Sequence, residues 1–241
     1  MITRDGFLGG RLTLLQPSKG FRAGSDAVLL AAACPARPGQ SVLDLGCGVG
    51  AAMYCLAARV PGLALTGLER DVATAELARQ NGAAEVVVGD ALDLPPALRR
   101  PFDHVICNPP YFGAGQGSPS PDAPREAALR EAGPGDIARW ADIACRRAAP
   151  KGSVTFIART DRLADLLGGL RLGGLVVLPI AGRADTEAGR VIVQGRKGAR
   201  APLRLLPPFV MHRGPAHDGD RDHHTPAAQA VLREGQALPL R

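Results

Sequence analysis

Lysine is nearly missing from the chain: Lys19, Lys151 and Lys197 are its only three, and they form no basic tract. That excludes a tail gripping polyanions through lysine density. Arginine still leaves a formal net charge of +6 and an isoelectric point near 9.5, a balance that favours polyanionic partners such as nucleic acid. Cys-x-x-Cys spacing is also missing. The five cysteines, Cys34, Cys47, Cys55, Cys107 and Cys145, are odd in number and scattered. They predict reduced, mostly buried thiols in a cytoplasmic protein rather than a disulfide framework. Arg4, Asp5 and Arg11 break any apolar core of a signal peptide. The apolar region from Leu163 to Ala181 is interrupted by Asp165, Arg171, paired glycines and Pro179. It reads as a helix end followed by a strand, so no membrane association is expected. The cluster His212, His217, Asp218, Asp220, Asp222, His223 and His224 matches no zinc spacing. It predicts a solvated polar loop and no metal. No internal repeat is present.

What is there is one α/β domain over residues 1–241, with 46% apolar residues. Within it, 1–40 is expected as an N-terminal cap segment and 209–241 as a C-terminal extension. Alternating apolar runs predict strands over 41–45, 63–68, 85–88, 103–107, 152–158, 174–180 and 189–195. Helices are expected over 26–33, 51–59, 71–80, 134–149, 161–170 and 226–234. The last has Thr225 as its N-cap, Pro226 at the first helical position and Gly235 past its end. This alternation calls for a largely parallel sheet covered on both faces.

Two motifs carry chemistry. The first is Asn108-Pro109-Pro110-Tyr111-Phe112, at the end of the fourth expected strand. Asn-Pro pairs commonly begin turns. The same residues can also hold a planar NH2 group, because proline has no N–H and leaves neighbouring carbonyls rigidly aimed. The Asn108 amide oxygen and such a carbonyl then accept the two amino hydrogens while an aromatic ring stacks behind. The second motif, Asp44-Leu45-Gly46-Cys47-Gly48-Val49-Gly50, follows the first expected strand and opens a helix. Its third glycine comes one residue too early for a dinucleotide fingerprint. Asp44 is awkward beside a pyrophosphate and well suited to an ammonium group. Glu69 and Asp90, followed by Ala91, stand at the ends of the next two strands. Glu69 is placed to accept from ribose hydroxyls and Asp90 from an adenine amine. The glycine-, proline- and serine-rich stretch 113–124 is expected as a flexible loop or a lid beside this pocket.

These residues resemble the class I S-adenosylmethionine-dependent methyltransferases, and the Asn-Pro-Pro-Tyr motif resembles that of their amino-group N-methylases. With Phe21 to Leu30 and the tail from Phe209 to His212, the chain is similar to the bacterial tRNA1(Val) adenine-37 N6-methyltransferase family. The resemblance implies a Rossmann-like sheet of seven strands, the last antiparallel, and S-adenosylmethionine as cofactor. It implies N6-methylation of an adenine in RNA, most naturally tRNA. Catalytic work falls to Asn108, Pro109, Pro110 and Tyr111. Cofactor contacts fall to Asp44, Gly46, Cys47, Gly48, Glu69, Asp90, Ala91 and Asn108, with Gly24, Ser25 and Asp26 closing the methionine side. Substrate contacts fall to Tyr111 and Phe112, and phosphate contacts to Arg11, Arg22 and Arg125. A protein glutamine N5-methylase or an rRNA base methylase would use the same cradle. A non-catalytic RNA-binding module on this scaffold is the alternative outside catalysis.

Overall fold

The computed structural model describes residues 1–109, 136–214 and 223–240. It opens on an antiparallel hairpin, β1 (Ile2–Phe7) and β2 (Leu12–Pro17), with Ile2 opposite Pro17 and Phe7 opposite Leu12. The strand expectations begin only at residue 41, although Gly9-Gly10 between two short alternating runs is a hairpin signal. Helix α1 (Ser25–Ala33) buries every residue from Ala27 to Ala33, as a helix packed on all sides must.

Strands and helices then alternate. They are β3 (Ser41–Leu45), α2 (Ala51–Arg59), β4 (Ala64–Glu69), α3 (Val72–Asn81), β5 (Glu85–Val88) and β6 (Phe102–Cys107). After them come α4 (Asp136–Arg147), β7 (Ala148–Arg159), α5 (Leu163–Gly169), β8 (Gly173–Ala181) and β9 (Ala188–Arg196). Two short strands, β10 (Arg204–Leu205) and β11 (Phe209–Val210), precede α6 (Pro226–Leu232).

The sheet runs β10-β8-β9-β7-β6-β3-β4-β5, with β11 also on β8. All neighbours are parallel except β9, which is antiparallel to both β7 and β8. The seven expected strands are all present, but the sheet among the described residues has nine. The additional two are only two residues each and are separated by Pro207 and Pro208, so no alternation could announce them.

Two apolar layers clamp the sheet. Side chains of α1, α2, α3 and α6 fill one face, and those of α4 and α5 the other. Within β3, Val42 packs in the first layer and Leu43 and Leu45 in the second, the period of two that a strand imposes. Strand β7 starts earlier than expected and takes 148 and 149 from the helix. Lys197 Nζ donates to the carbonyls of Cys145 (3.0 Å) and Ala148 (2.7 Å), which ends α4 there. The Asp71 side chain accepts from the Thr74 N–H at 2.8 Å, so α3 begins after Asp71 rather than on it. Thr225 caps α6 as expected, accepting from the Ala228 N–H at 3.1 Å. All five cysteines are free and buried. Among the described residues no helix is long and apolar enough to cross a membrane.

Candidate active site

The carboxyl ends of β5, β4, β3 and β6 stand side by side in that order. The chain moves outward from β3 to β4 and β5, then crosses to β6 on the other side of β3. At such a reversal the loops diverge and leave a crevice. A cavity of about 1180 Å3 lies there, and Asp44, Glu69, Asp90 and Asn108 all reach it.

Asp44 is 2% exposed. Among the described residues its Oδ2 has no hydrogen-bond partner, and the same holds for the buried Asn108 Oδ1. Burial pushes the Asp44 carboxyl up to about 7; a hydrogen bond from the Met53 backbone opposes this, and the nearby Glu69 charge adds to it. Two orphaned buried acceptors in one cavity are costly in an isolated protein and call for a donor-bearing ligand.

The glycine loop holds its shape by backbone conformations that side chains rarely adopt. Gly46 has φ +77°, and a Cβ there would stand 2.8 Å from ring carbons of Trp140. Gly48 has φ +56°, with open space where its Cβ would be. The Gly48 N–H donates to Glu69 Oε2 at 3.0 Å, and the Asp71 N–H to Glu69 Oε1 at 2.9 Å. Glu69 therefore ties the loop after β3 to the loop after β4 and keeps lone pairs to spare. Asp90 Oδ1 accepts from the Leu92 N–H at 2.8 Å, a local turn that presents Asp90 and Ala91 to the cavity. Cys47 lines the cavity, but burial, then Asp44 and Glu69, hold its thiol well above the ordinary range. It is a spacer rather than a nucleophile.

The structure does not bring every expected residue to this cavity. Gly24 and Ser25 line a second, smaller one instead. Asp26 accepts from Arg190 Nε at 3.0 Å, Arg11 donates to the Glu234 carbonyl at 2.6 Å, and Arg22 pairs with Asp5 at 2.6 Å. Gln16 to Phe21, the end of β2 and the residues that follow it, line the larger cavity instead. Pro109 lines the cavity, whereas Pro110, Tyr111, Phe112, Arg125 and the loop 113–124 lie outside the described residues. So do His217, Asp218, Asp220 and Asp222; His212 and His224 stack ring to ring at 5.0 Å.

Among the lining residues that no local pattern marked are two on α4. Asp136 and Trp140 both face the cavity from α4, one helical turn apart. The i, i+4 spacing of an acid and the only tryptophan was a usable signal, but nothing local placed α4 beside the glycine loop. Among the described lining residues are five carboxylates, Asp44, Glu69, Asp71, Asp90 and Asp136, against two basic side chains, Lys19 and Arg70. The cavity favours a cationic ligand over a phosphate-bearing one.

An open sheet with this strand order, a glycine loop after β3 and acids at successive strand ends define a class I S-adenosylmethionine-dependent methyltransferase. Residues 20–120 match the family model described as a methyltransferase small domain. The chain is 31% identical over 188 residues to the tRNA1(Val) (adenine(37)-N6)-methyltransferase of Aeromonas hydrophila, covering 74% of this chain and 78% of that one. It is 32% identical over 179 residues to the protein of the same name from Porphyromonas gingivalis (strain ATCC 33277), covering 67% and 68%. The crystal structure of a predicted O-methyltransferase from Agrobacterium tumefaciens superposes with a TM-score of 0.70 at 27% identity, covering 89% of this chain and 98% of that one. The T. thermophilus 16S rRNA N2 G1207 methyltransferase, solved with AdoMet and guanosine, shares the fold with a TM-score of 0.54 at 21% identity. Those coverages are 84% of this chain and 46% of that one. The chain belongs to the tRNA1(Val) (adenine(37)-N6)-methyltransferase family and is an S-adenosylmethionine-dependent methyltransferase.

Proposed function

We propose that this enzyme methylates the N6 amino group of an adenine in tRNA, in the cytoplasm. The observation that carries the reading is the pair of unpartnered buried oxygens, Asp44 Oδ2 and Asn108 Oδ1, at the ends of adjacent strands in one acid-lined cavity. The names of its relatives supply the acceptor. The cavity exceeds the roughly 300–1,000 Å3 of ordinary small-molecule sites, so a base has room beside the donor.

S-adenosylmethionine, when bound, supplies a methyl group already activated by a sulfonium. The residues of this chain hold and aim. Asp44 accepts from the ammonium of the methionine end, Glu69 from the ribose hydroxyls, and Asp90 from the adenine amine. Gly46 and Gly48 keep the loop low enough for close approach. On the acceptor side, Asn108 Oδ1 and the Pro109 carbonyl accept the two amino hydrogens. That draws the nitrogen lone pair out of conjugation and points it across the cavity. Tyr111 is the residue to stack on the base, worth roughly 1–3 kcal/mol, with Phe112 as a second aromatic for the same work. The base must be unpaired or flipped out to enter, which suits a loop nucleotide. Alignment of the two reacting atoms provides most of the acceleration.

The test is methylation of an unmodified tRNA transcript with labelled donor, read as nucleosides by mass spectrometry. N6-methyladenosine is expected. Label appearing only on glutamine of a protein acceptor, or on another base, would overturn the reading. In parallel, Asn108→Ala should bind the donor nearly normally and lose about 10²–10³ in kcat, the scale of deleting a preorganised hydrogen-bonding group.

A further inference from the structure

A methyl transfer changes the donor at one atom. The sulfur–carbon bond breaks as the nitrogen–carbon bond forms. The positive charge passes to the acceptor nitrogen and is lost as a proton, and a neutral thioether remains. The ammonium, ribose and adenine are the same before and after. Asp44, Glu69 and Asp90, in the roles given above, therefore grip donor and product alike. An enzyme with only those contacts is inhibited by its own product, and relief has to come from a group near the sulfur that feels its charge.

The fold marks where that group stands. Leu45 of β3 pairs in register with Cys107 of β6, so Gly46 and Asn108 follow at neighbouring strand ends. The methyl passes from a donor held beside the glycine loop to a nitrogen held at Asn108, so it crosses near this seam. Trp140 covers the Gly46 side of the seam: even a methyl group on Gly46 would come within 2.8 Å of two carbons of its ring. The ring lines the cavity and is backed by the apolar layer that α4 shares with the sheet. Phe21 is the only other aromatic among the described lining residues, and it belongs to the stretch after β2 rather than to α4. Asp136, one turn before Trp140, has its carboxylate paired with Arg139 at 3.2 Å, so part of its charge is already answered. Tryptophan is the aromatic side chain that attracts a cation most strongly. A neutral thioether keeps only the weaker sulfur–aromatic contact.

We propose that Trp140 is a specificity residue of the donor site, whose ring attracts the sulfonium and so makes the cavity prefer the donor over its thioether product. The inference rests on the reading of this cavity as the donor's. An attraction to the charged ground state does not lower the barrier of the chemical step. Its benefit is turnover, because the product is held less firmly than the donor that replaces it.

The experiment uses the full-length chain with Trp140→Leu and Trp140→Phe. Affinities for S-adenosylmethionine and S-adenosylhomocysteine are measured by calorimetry at one pH, alongside Tm. Trp140→Leu should bind the sulfonium about tenfold more weakly and the thioether by about twofold or less. Trp140→Phe, with a weaker ring, should lose about threefold in the ratio of the two affinities. A purely structural wall would weaken both ligands equally; an unchanged ratio in a folded variant therefore overturns the proposal. If Trp140→Leu does not fold, the ratio in Trp140→Phe decides in the same way. Trp140 is the only tryptophan, so its fluorescence reports on this wall alone. Saturating donor should alter the wild-type emission, and an emission unchanged while calorimetry records binding would also refute the proposal. Wild-type protein that binds neither ligand would overturn the reading of the cavity as well.

Discussion

Asp44 is held where a carboxylate is least at ease, 2% exposed and with one oxygen unpartnered. Its pKa of about 7 against an ordinary 3.8 means that the donor-free protein keeps it largely protonated in mildly acidic solution. An ammonium group arriving beside it favours the charged form, so donor binding expels a proton. Affinity should therefore rise severalfold between pH 6 and 7.5. Calorimetry in buffers of different ionisation enthalpy measures that proton release directly; no release would contradict the assignment. Asp44→Asn removes the burial penalty of the charge, which is on the order of 4 kcal/mol at alkaline pH. That variant should melt higher than wild type at pH 8 while binding the donor at least tenfold more weakly. Asp44, Glu69, Asp90 and Asn108 were each legible because an acid or amide after an apolar strand has little structural reason to be there. Trp140 was not, because a tryptophan on a helix is ordinarily core.

At the scale of elements, Asn81 joins parts that no local pattern connects. Its Oδ1 accepts from the Leu15 N–H at 2.7 Å, and its Nδ2 donates to the carbonyls of Leu15 and Val49, both at 3.0 Å. One amide at the end of α3 thus serves as a surrogate strand for β2 and a clamp on the glycine loop. The hairpin that supplies the Gln16 to Phe21 wall is pinned through it. Asn81→Ala leaves those backbone groups without their partner and should cost about 2–3 kcal/mol of stability. The KM for the donor should rise severalfold with kcat changed less, because the wall loosens while Asn108 keeps its place. Thermal melts and initial-rate kinetics at a temperature well below Tm separate the two effects. Equal losses in kcat and none in KM would argue against the clamp. Helices and long strands were readable because periodicity and caps such as Thr225 are local. The hairpin and the two-residue strands β10 and β11 exist through partners far along the chain.

Across the whole molecule, one buried histidine at the opposite end of the sheet from the site makes stability depend on pH. His104 bonds Ser153 Oγ through Nδ1 at 2.7 Å and Gln40 Oε1 through Nε2 at 2.9 Å. Gln40 Oε1 also accepts from the Arg37 N–H at 2.8 Å, so it is the oxygen, and His104 must carry its proton on Nε2. Burial lowers its pKa to about 4 from 6.5, partly offset by Asp103, with Arg196 adding to the decrease. Between those values the unfolded chain binds more protons than the folded one, so this group costs stability as pH falls from about 6.5 to 4. Asp44 works in the other direction, since the folded state holds its proton up to about 7. His104→Gln should flatten the fall of Tm below pH 6.5; an identical slope in both proteins would rule the histidine out. The sequence by itself determined the sheet's seven principal strands, the acids at their ends and the amide that faces them, because strand period and turn chemistry are written over a few residues. Only the tertiary structure decided that β6 lies beside β3, that the N-terminal hairpin walls the cavity, and that Gly24 to Asp26 turn away from it. Those outcomes depend on which distant surfaces bury each other, and no window of neighbouring residues contains that information.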